Sequence, residues 1–181
     1  DRPVVVASHD SAWYAAFDLQ GAGARIQAIV DTRAAVGEDL VNEARALGIP
    51  VKLSHTVTAT SGRLRVRSIR VNPLDGGSVG GGHEIACDAL LMSAGWTPSL
   101  HLFSHTQGKL KWSDDLTTFL PDRTNEDCAI AGASRGLWGI EAALQDGAER
   151  GREAAAALGK AGNAVTYAVD HDRIGSGVSV T

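Results

Sequence analysis

The sequence predicts an α/β protein with a Rossmann-like parallel sheet, an antiparallel β-meander and part of a second domain. Three observations predict it. A strand–helix–strand–helix–strand run fills about the first fifty residues, and alternating hairpin-like stretches follow it. A further strand–turn–helix comes near the end of the chain. β-α-β units require a parallel sheet with right-handed crossovers, which sets the class.

Element by element, Val4–Val6 is short and continuously apolar, the pattern of a strand buried on both faces. Ala12, Ala15, Ala16 and Leu19 share one face of a helix from Ser11 to Gly21, which Asp10 or Ser11 is placed to cap. Gly21 and Gly23 end that helix. Arg25–Asp31 is the second strand, Glu38–Leu47 the second helix, stopped by Gly48, and Ile49–Leu53 the third strand.

Thr56–Thr60 and Arg63–Val71 then alternate as a hairpin about Ser61-Gly62. Arg63, Arg65 and Arg67 fall on one face of that second strand, a solvated or partner-facing sheet surface. The Gly-rich GGSVGGG at 76–82 lacks the Lys-Ser/Thr of a phosphate loop and reads as a hairpin tip. Glu84–Cys87 and Ala89–Ala94 return as strands. Residues 99–127 carry little pattern beyond the apolar anchors Leu100–Phe103 and Leu116–Leu120. Cys128–Ala131 is predicted as a strand, Ile140–Leu158 as a helix with small residues along it, and Ala164–Val169 as an extended piece of a terminal linker.

Composition narrows the function classes. The chain has 181 residues, 44% hydrophobic and 21% charged, with a formal net charge of −4. That acidity argues against a nucleic-acid surface, which needs a clustered positive field. No apolar run reaches the length of about twenty residues that spans a bilayer. With no signal peptide ahead of the first strand and two cysteines, Cys87 and Cys128, that read as small buried hydrophobes, a reduced cytoplasmic setting is expected. The chain opens at Asp1 and closes in a Gly/Ser/Val tail, as though cut from something longer. His101 and His105 share an i, i+4 spacing but have no carboxylate at a helical interval, and no metal site is expected. No catalytic centre presents itself.

Two turns are candidates for a dinucleotide. In the first, the three glycine positions of the phosphate-binding fingerprint fall on Ala7, His9 and Ala12. Alanine is tolerated at the last, but the middle position must let backbone touch the diphosphate, and an imidazole there fills the space. Asp31 ends the second strand about twenty residues on, where an acid binds a ribose hydroxyl. Without a dinucleotide it reads as a surface acid paired with Arg33. The second turn, Gly132 to Gly139, leads from a strand into a helix N-terminus, whose free N–H groups favour phosphate or ribose. An ordinary strand–turn–helix accounts for it equally well.

CDALLMSAGWTPSLHLFSHTQGKLKW, residues 87–112, and AIAGASRGLWGIEAALQDGA, residues 129–148, resemble segments of the alpha subunit of heterotetrameric sarcosine oxidase. The likeness covers roughly residues 1–160 and extends to the degenerate first turn with its Asp-Ser-Ala. More distantly, the layout is similar to that of the flavoprotein disulfide reductases. The resemblance implies that 1–95 is a degenerate NAD(P)-binding-like domain, that 96–158 returns to an incomplete FAD/NAD-binding-like domain, and that 159–181 is a linker and tail. It implies a parent enzyme that demethylates sarcosine oxidatively to glycine, reducing O2 to H2O2, with tetrahydrofolate accepting the one-carbon unit. NAD would sit on the alpha subunit, FAD on beta and FMN between them, within a hetero-oligomer. By position, Gly95, Gly132, Ala133, Trp138 and Gly139 would approach the NAD, with Asp31 the remaining candidate. An acid that follows the closing glycine in the disulfide reductases is replaced here by Ala133. Two other readings stay open: an NAD(P)H-using electron-transfer domain of a reductase or dehydrogenase, and a subunit-docking module without catalysis.

Overall fold

The structure is a computed structural model that describes residues 1–74, 82–160 and 162–169. The chain divides into two units, Asp1–Gly95 and Trp96–Thr181.

The first unit begins with β1 (Pro3–Ala7), buried at all five positions. Its side chains alternate between two cores, as the period of two in a strand requires. Val5 and Ala7 join Trp13, Ala16, Phe17, Ile29, Leu40, Ala44 and Ile49 on one side. Val4 and Val6 join Val30, Ile69, Val71 and Cys87 on the other. The first core lies under helices α1 (Ser11–Gly21) and α2 (Glu38–Ala46), the second under an antiparallel meander. The result is three layers: helices, parallel sheet, meander.

The parallel sheet has the order β3-β2-β1-β7, with β2 at Ala28–Asp31, β3 at Val51–Lys52 and β7 at Ala89–Ser93. β1 pairs with β2 from Val4↔Ala28 to Ala7↔Asp31 and with β7 from Pro3↔Ala89 to Ala7↔Ser93. The meander is β4 (His55–Ser61), β5 (Ser68–Pro73) and β6 (His83–Ala86) in that order. The α/β class and the inserted meander are thus as predicted.

Several local expectations are corrected. The apolar stripe of α1 is Ala12, Trp13, Ala16 and Phe17, because the two large aromatics outweigh Ala15, which is exposed. No side chain caps α1: Asp10 stands at the N-cap position, but its carboxylate is drawn to Arg33, 2.7 Å away. β5 starts at Ser68, so Arg63, Arg65 and Arg67 occupy the loop after β4 and not a strand face. That loop closes early, with the Arg67 N–H donating to Ser61 O at 2.8 Å. The GGSVGGG stretch, apart from Gly82, and the tail beyond 169 lie outside the described residues.

The second unit holds α3 (His101–His105), the hairpin β8 (Lys109–Ser113) with β9 (Thr118–Arg123), a 3-10 turn at Gly132–Arg135, and α4 (Ile140–Ala157). The hairpin was not foreseen; Trp112 and Phe119 face each other across it edge-to-face, ring centres 5.1 Å apart. The predicted strand Cys128–Ala131 does not form. Ala131 is extended (φ −133°, ψ 156°), but no described strand pairs with the segment, and a strand without a ladder partner leaves its polar backbone to solvent. Cys128 is accordingly exposed, near Thr124 Oγ1 at 3.3 Å, whereas Cys87 is buried as expected. Residues 164–169 likewise pair with no strand. Among the described residues no helix is long and apolar enough to cross a membrane.

Candidate functional site

In an open α/β sheet a ligand sits beyond the carboxyl ends of the strands, where the strand order reverses. Here that point lies between β1 and β7. The cavity beside it is about 250 Å³, lined by Ala7, Ser8, Thr32, Ser93 and Ala94 among others. Small-molecule pockets begin at roughly 300 Å³. Gly95 lies beside this cavity, where a β-carbon would meet Ser8 Oγ at 3.9 Å.

His9 fills the β1–α1 turn from inside. Its ring is buried, with Nε2 2.8 Å from Ser93 Oγ and Nδ1 2.7 Å from Ser11 Oγ. It thereby ties the start of α1 to the end of β7. Burial, and then the positive charge of Arg33, hold its pKa below the ordinary histidine value, against the opposing pull of Asp10 and Asp31. The sequence expectation placed the imidazole in the phosphate space; the ring instead turns inward onto β7.

Asp31 is not a surface acid. It is fully buried, and its carboxylate accepts from four donors. Trp13 Nε1 donates to Oδ2 at 2.7 Å, and Arg33 contributes its backbone N–H at 2.8 Å, Nε at 3.1 Å and one terminal nitrogen at 2.9 Å. The pairing with Arg33 was anticipated; the burial and the Trp13 bond were not. A carboxylate has about four lone-pair sites, so none is left for a ribose. The other Arg33 terminal nitrogen reaches Asp10 Oδ1 at 2.7 Å.

The polar groups of this turn are engaged within the chain itself. The Ala12 and Trp13 N–H groups donate to His9 O and Asp10 O, the Asp10 carboxylate is held by Arg33, and Asp31 accepts from four donors. Ser8 Oγ is buried with no hydrogen-bond partner among the described residues.

In the second unit the candidates Gly132, Ala133, Trp138 and Gly139 fall in the segment that leads into α4. Gly132 and Ala133 begin the 3-10 turn and Gly139 is the N-cap of α4. Gly132 has φ 63°, a left-handed conformation that any other residue adopts at a cost. Asp146, from the second turn of α4, reaches back to accept the Gly132 N–H at 2.8 Å and pairs with Arg135. Ser134 Oγ donates to Ser99 O at 3.2 Å. Gly139 offers no capping side chain, so the α4 end keeps backbone donors available, with Glu141 as the acid in its first turn. Asp146 was missed in the sequence. Its signal was an acid three and four residues after Ala143 and Ala142, on the stripe of small residues. Among the described residues no group of three His, Cys, Asp or Glu could hold a metal.

No family model matches the chain. It is 33% identical over 157 residues to sarcosine oxidase subunit alpha of Rhizobium meliloti (strain 1021), 87% of this chain and 15% of that protein. It is also 33% identical over 160 residues to sarcosine oxidase subunit alpha of Corynebacterium sp. (strain P-1), again spanning only 16% of it. Among solved structures, bacillithiol disulfide reductase from Staphylococcus aureus superposes with a TM-score of 0.65 at 15% identity, covering 87% of this chain and 51% of that one. Thioredoxin reductase from T. acidophilum gives 0.58 at 17% identity, with the same coverage. These likenesses show the fold, that of pyridine nucleotide-disulfide oxidoreductases. By sequence, this chain is related to the sarcosine oxidase alpha subunits, matching about one-seventh of their length.

Proposed function

We propose that this chain is the part of a sarcosine oxidase alpha-like subunit that serves as scaffold in its first unit and contributes dinucleotide contacts from its second. The whole enzyme would be a flavin-dependent amine oxidase that demethylates sarcosine to glycine, with O2 reduced to H2O2 and tetrahydrofolate as one-carbon acceptor. FAD and FMN would lie with partner subunits, and NAD on the alpha subunit. Gly132, Ala133, Trp138 and Gly139 would contact that NAD, the glycines by close backbone approach and Trp138 by its ring; Gly95 would lie at the return from the first unit. Asp31 takes no part in this reading.

The observation that carries it is the internal saturation of the first turn by Arg33, Trp13 and His9. An NAD(P)H-using electron-transfer domain would need that turn open. The test has two arms. Titration of the 181-residue chain with NADH, followed by tryptophan fluorescence, is expected to show no saturable change; tight saturation would favour the electron-transfer reading. In the full-length subunit, Trp138→Ala is expected to lower the NAD retained through purification several-fold, while His9→Gln leaves it unchanged. The reverse pattern overturns the proposal.

A further inference from the structure

A chain with a net charge of −4 places three of its arginines within five residues, Arg63, Arg65 and Arg67, in the loop between β4 and β5. All three are exposed, and among the described residues none forms an ion pair. Leu64, between the first two, is 97% exposed, the most uncovered large apolar side chain described. Asp88, which lines a cavity together with Arg65 and Arg67, is engaged elsewhere: it accepts the Arg2 backbone N–H at 2.6 Å and lies 3.9 Å from the Arg2 guanidinium.

The loop has a set shape. Its ends are joined by the Arg67 N–H to Ser61 O bond, and the Arg67 carbonyl accepts the Cys87 N–H at 3.0 Å. Gly62 has φ 139°, and a β-carbon there would collide with the Arg65 carbonyl, so the tight winding depends on glycine. Val66 packs against the core of Val4, Val6, Ile69 and Val71. Leu64, two residues before it, is left in solvent. Arg63, Leu64, Arg65 and Arg67 surround an open depression of about 530 Å³.

We propose that this loop is a docking surface for an acidic protein partner. Leu64 enters an apolar pocket there, and the three guanidiniums pair with carboxylates around its rim. The partner is another subunit of the same assembly, a point that rests on the sarcosine oxidase reading; the docking chemistry does not. Arginine is enriched at interface hot spots, and its planar fork suits carboxylates. A preformed loop also loses less conformational entropy on binding. Nucleic acid fits less well, since a phosphate backbone offers nothing to Leu64. An anionic membrane fits less well too, because Leu64 is the one large apolar side chain this loop exposes, too little apolar surface to anchor in a bilayer.

The test uses the full-length subunit co-expressed with its partner subunits, with a photo-reactive benzoylphenylalanine replacing Leu64. The expected cross-link is to a partner-subunit peptide containing Asp and Glu. Arg63→Glu, Arg65→Glu and Arg67→Glu together are expected to weaken partner binding at least tenfold, without moving the urea midpoint of the 181-residue chain. Raising salt from 50 to 500 mM should weaken wild-type binding in the same direction. Absence of a partner cross-link, unchanged assembly in the triple variant, or binding only to phosphatidylglycerol vesicles or duplex DNA would overturn the proposal. NAD retention reports on different residues, so either reading can fail alone.

Discussion

Arg33 shows how one side chain can close a site. Its guanidinium bonds both oxygens of Asp31 and one of Asp10, and its own backbone N–H adds a further bond to Asp31. Asp31 is fully buried, so its charge depends on these donors and on Trp13. Removing one partner of a buried pair leaves an uncompensated charge and costs about 3–5 kcal/mol. Arg33→Ala is therefore expected to lower the unfolding free energy by that amount, measured by urea titration. Adding Asp31→Asn, which removes the stranded charge, should restore part of the loss. A single-variant change under about 1 kcal/mol would mean that water reaches Asp31 and the network is not closed.

Elements are joined here by polar contacts as much as by apolar ones. His9 ties α1 to β7 through Ser11 and Ser93, and Asp146 ties α4 to the Gly132 turn. The first tie is pH-dependent. His9 has a pKa below about 6.5 in the folded chain and near that value when unfolded, so the unfolded chain binds more protons between the two. Stability from this residue is complete above about pH 6.5 and declines as pH falls toward the folded pKa. Urea unfolding free energies between pH 7.5 and 5.5 should fall more steeply for the wild type than for His9→Gln. Equal slopes would show that the ring is as easily protonated folded as unfolded.

The two units of the molecule differ in how much they bury. The first holds two cores, one on each side of the parallel sheet. In the second, Phe103 is the one buried hydrophobic side chain among the described residues, while Trp112, Phe119, Leu102 and Leu144 are exposed. Local stability follows buried apolar contact, so amide hydrogen exchange is expected to be faster in β8, β9 and α4 than in β1 and β2. Equal protection would show that α4 is held by contacts other than its own buried surface. The exposed apolar side chains of the second unit accord with relatives more than five times as long as this chain.

The α/β class and the inserted meander were legible in the sequence, because β1 and β2 are apolar on both faces and local period alone marks such strands. His9 at a glycine position marked the first turn as unusual in the sequence, but the inward turn of its ring onto Ser93 was not visible there. The burial of Asp31 was not, because it depends on Trp13, eighteen residues away, and on a guanidinium folding back across the turn. The β8–β9 hairpin and the failed strand at 128–131 were equally hidden: a strand exists only where a partner completes its hydrogen bonds, and pairing is a property of the folded chain. Short-range pattern thus determined α1, α2, α4 and the strands of the first unit, and missed α3, β8 and β9. Only the tertiary structure decided which polar groups are already satisfied, since hydrogen bonds between distant residues leave no period in the sequence.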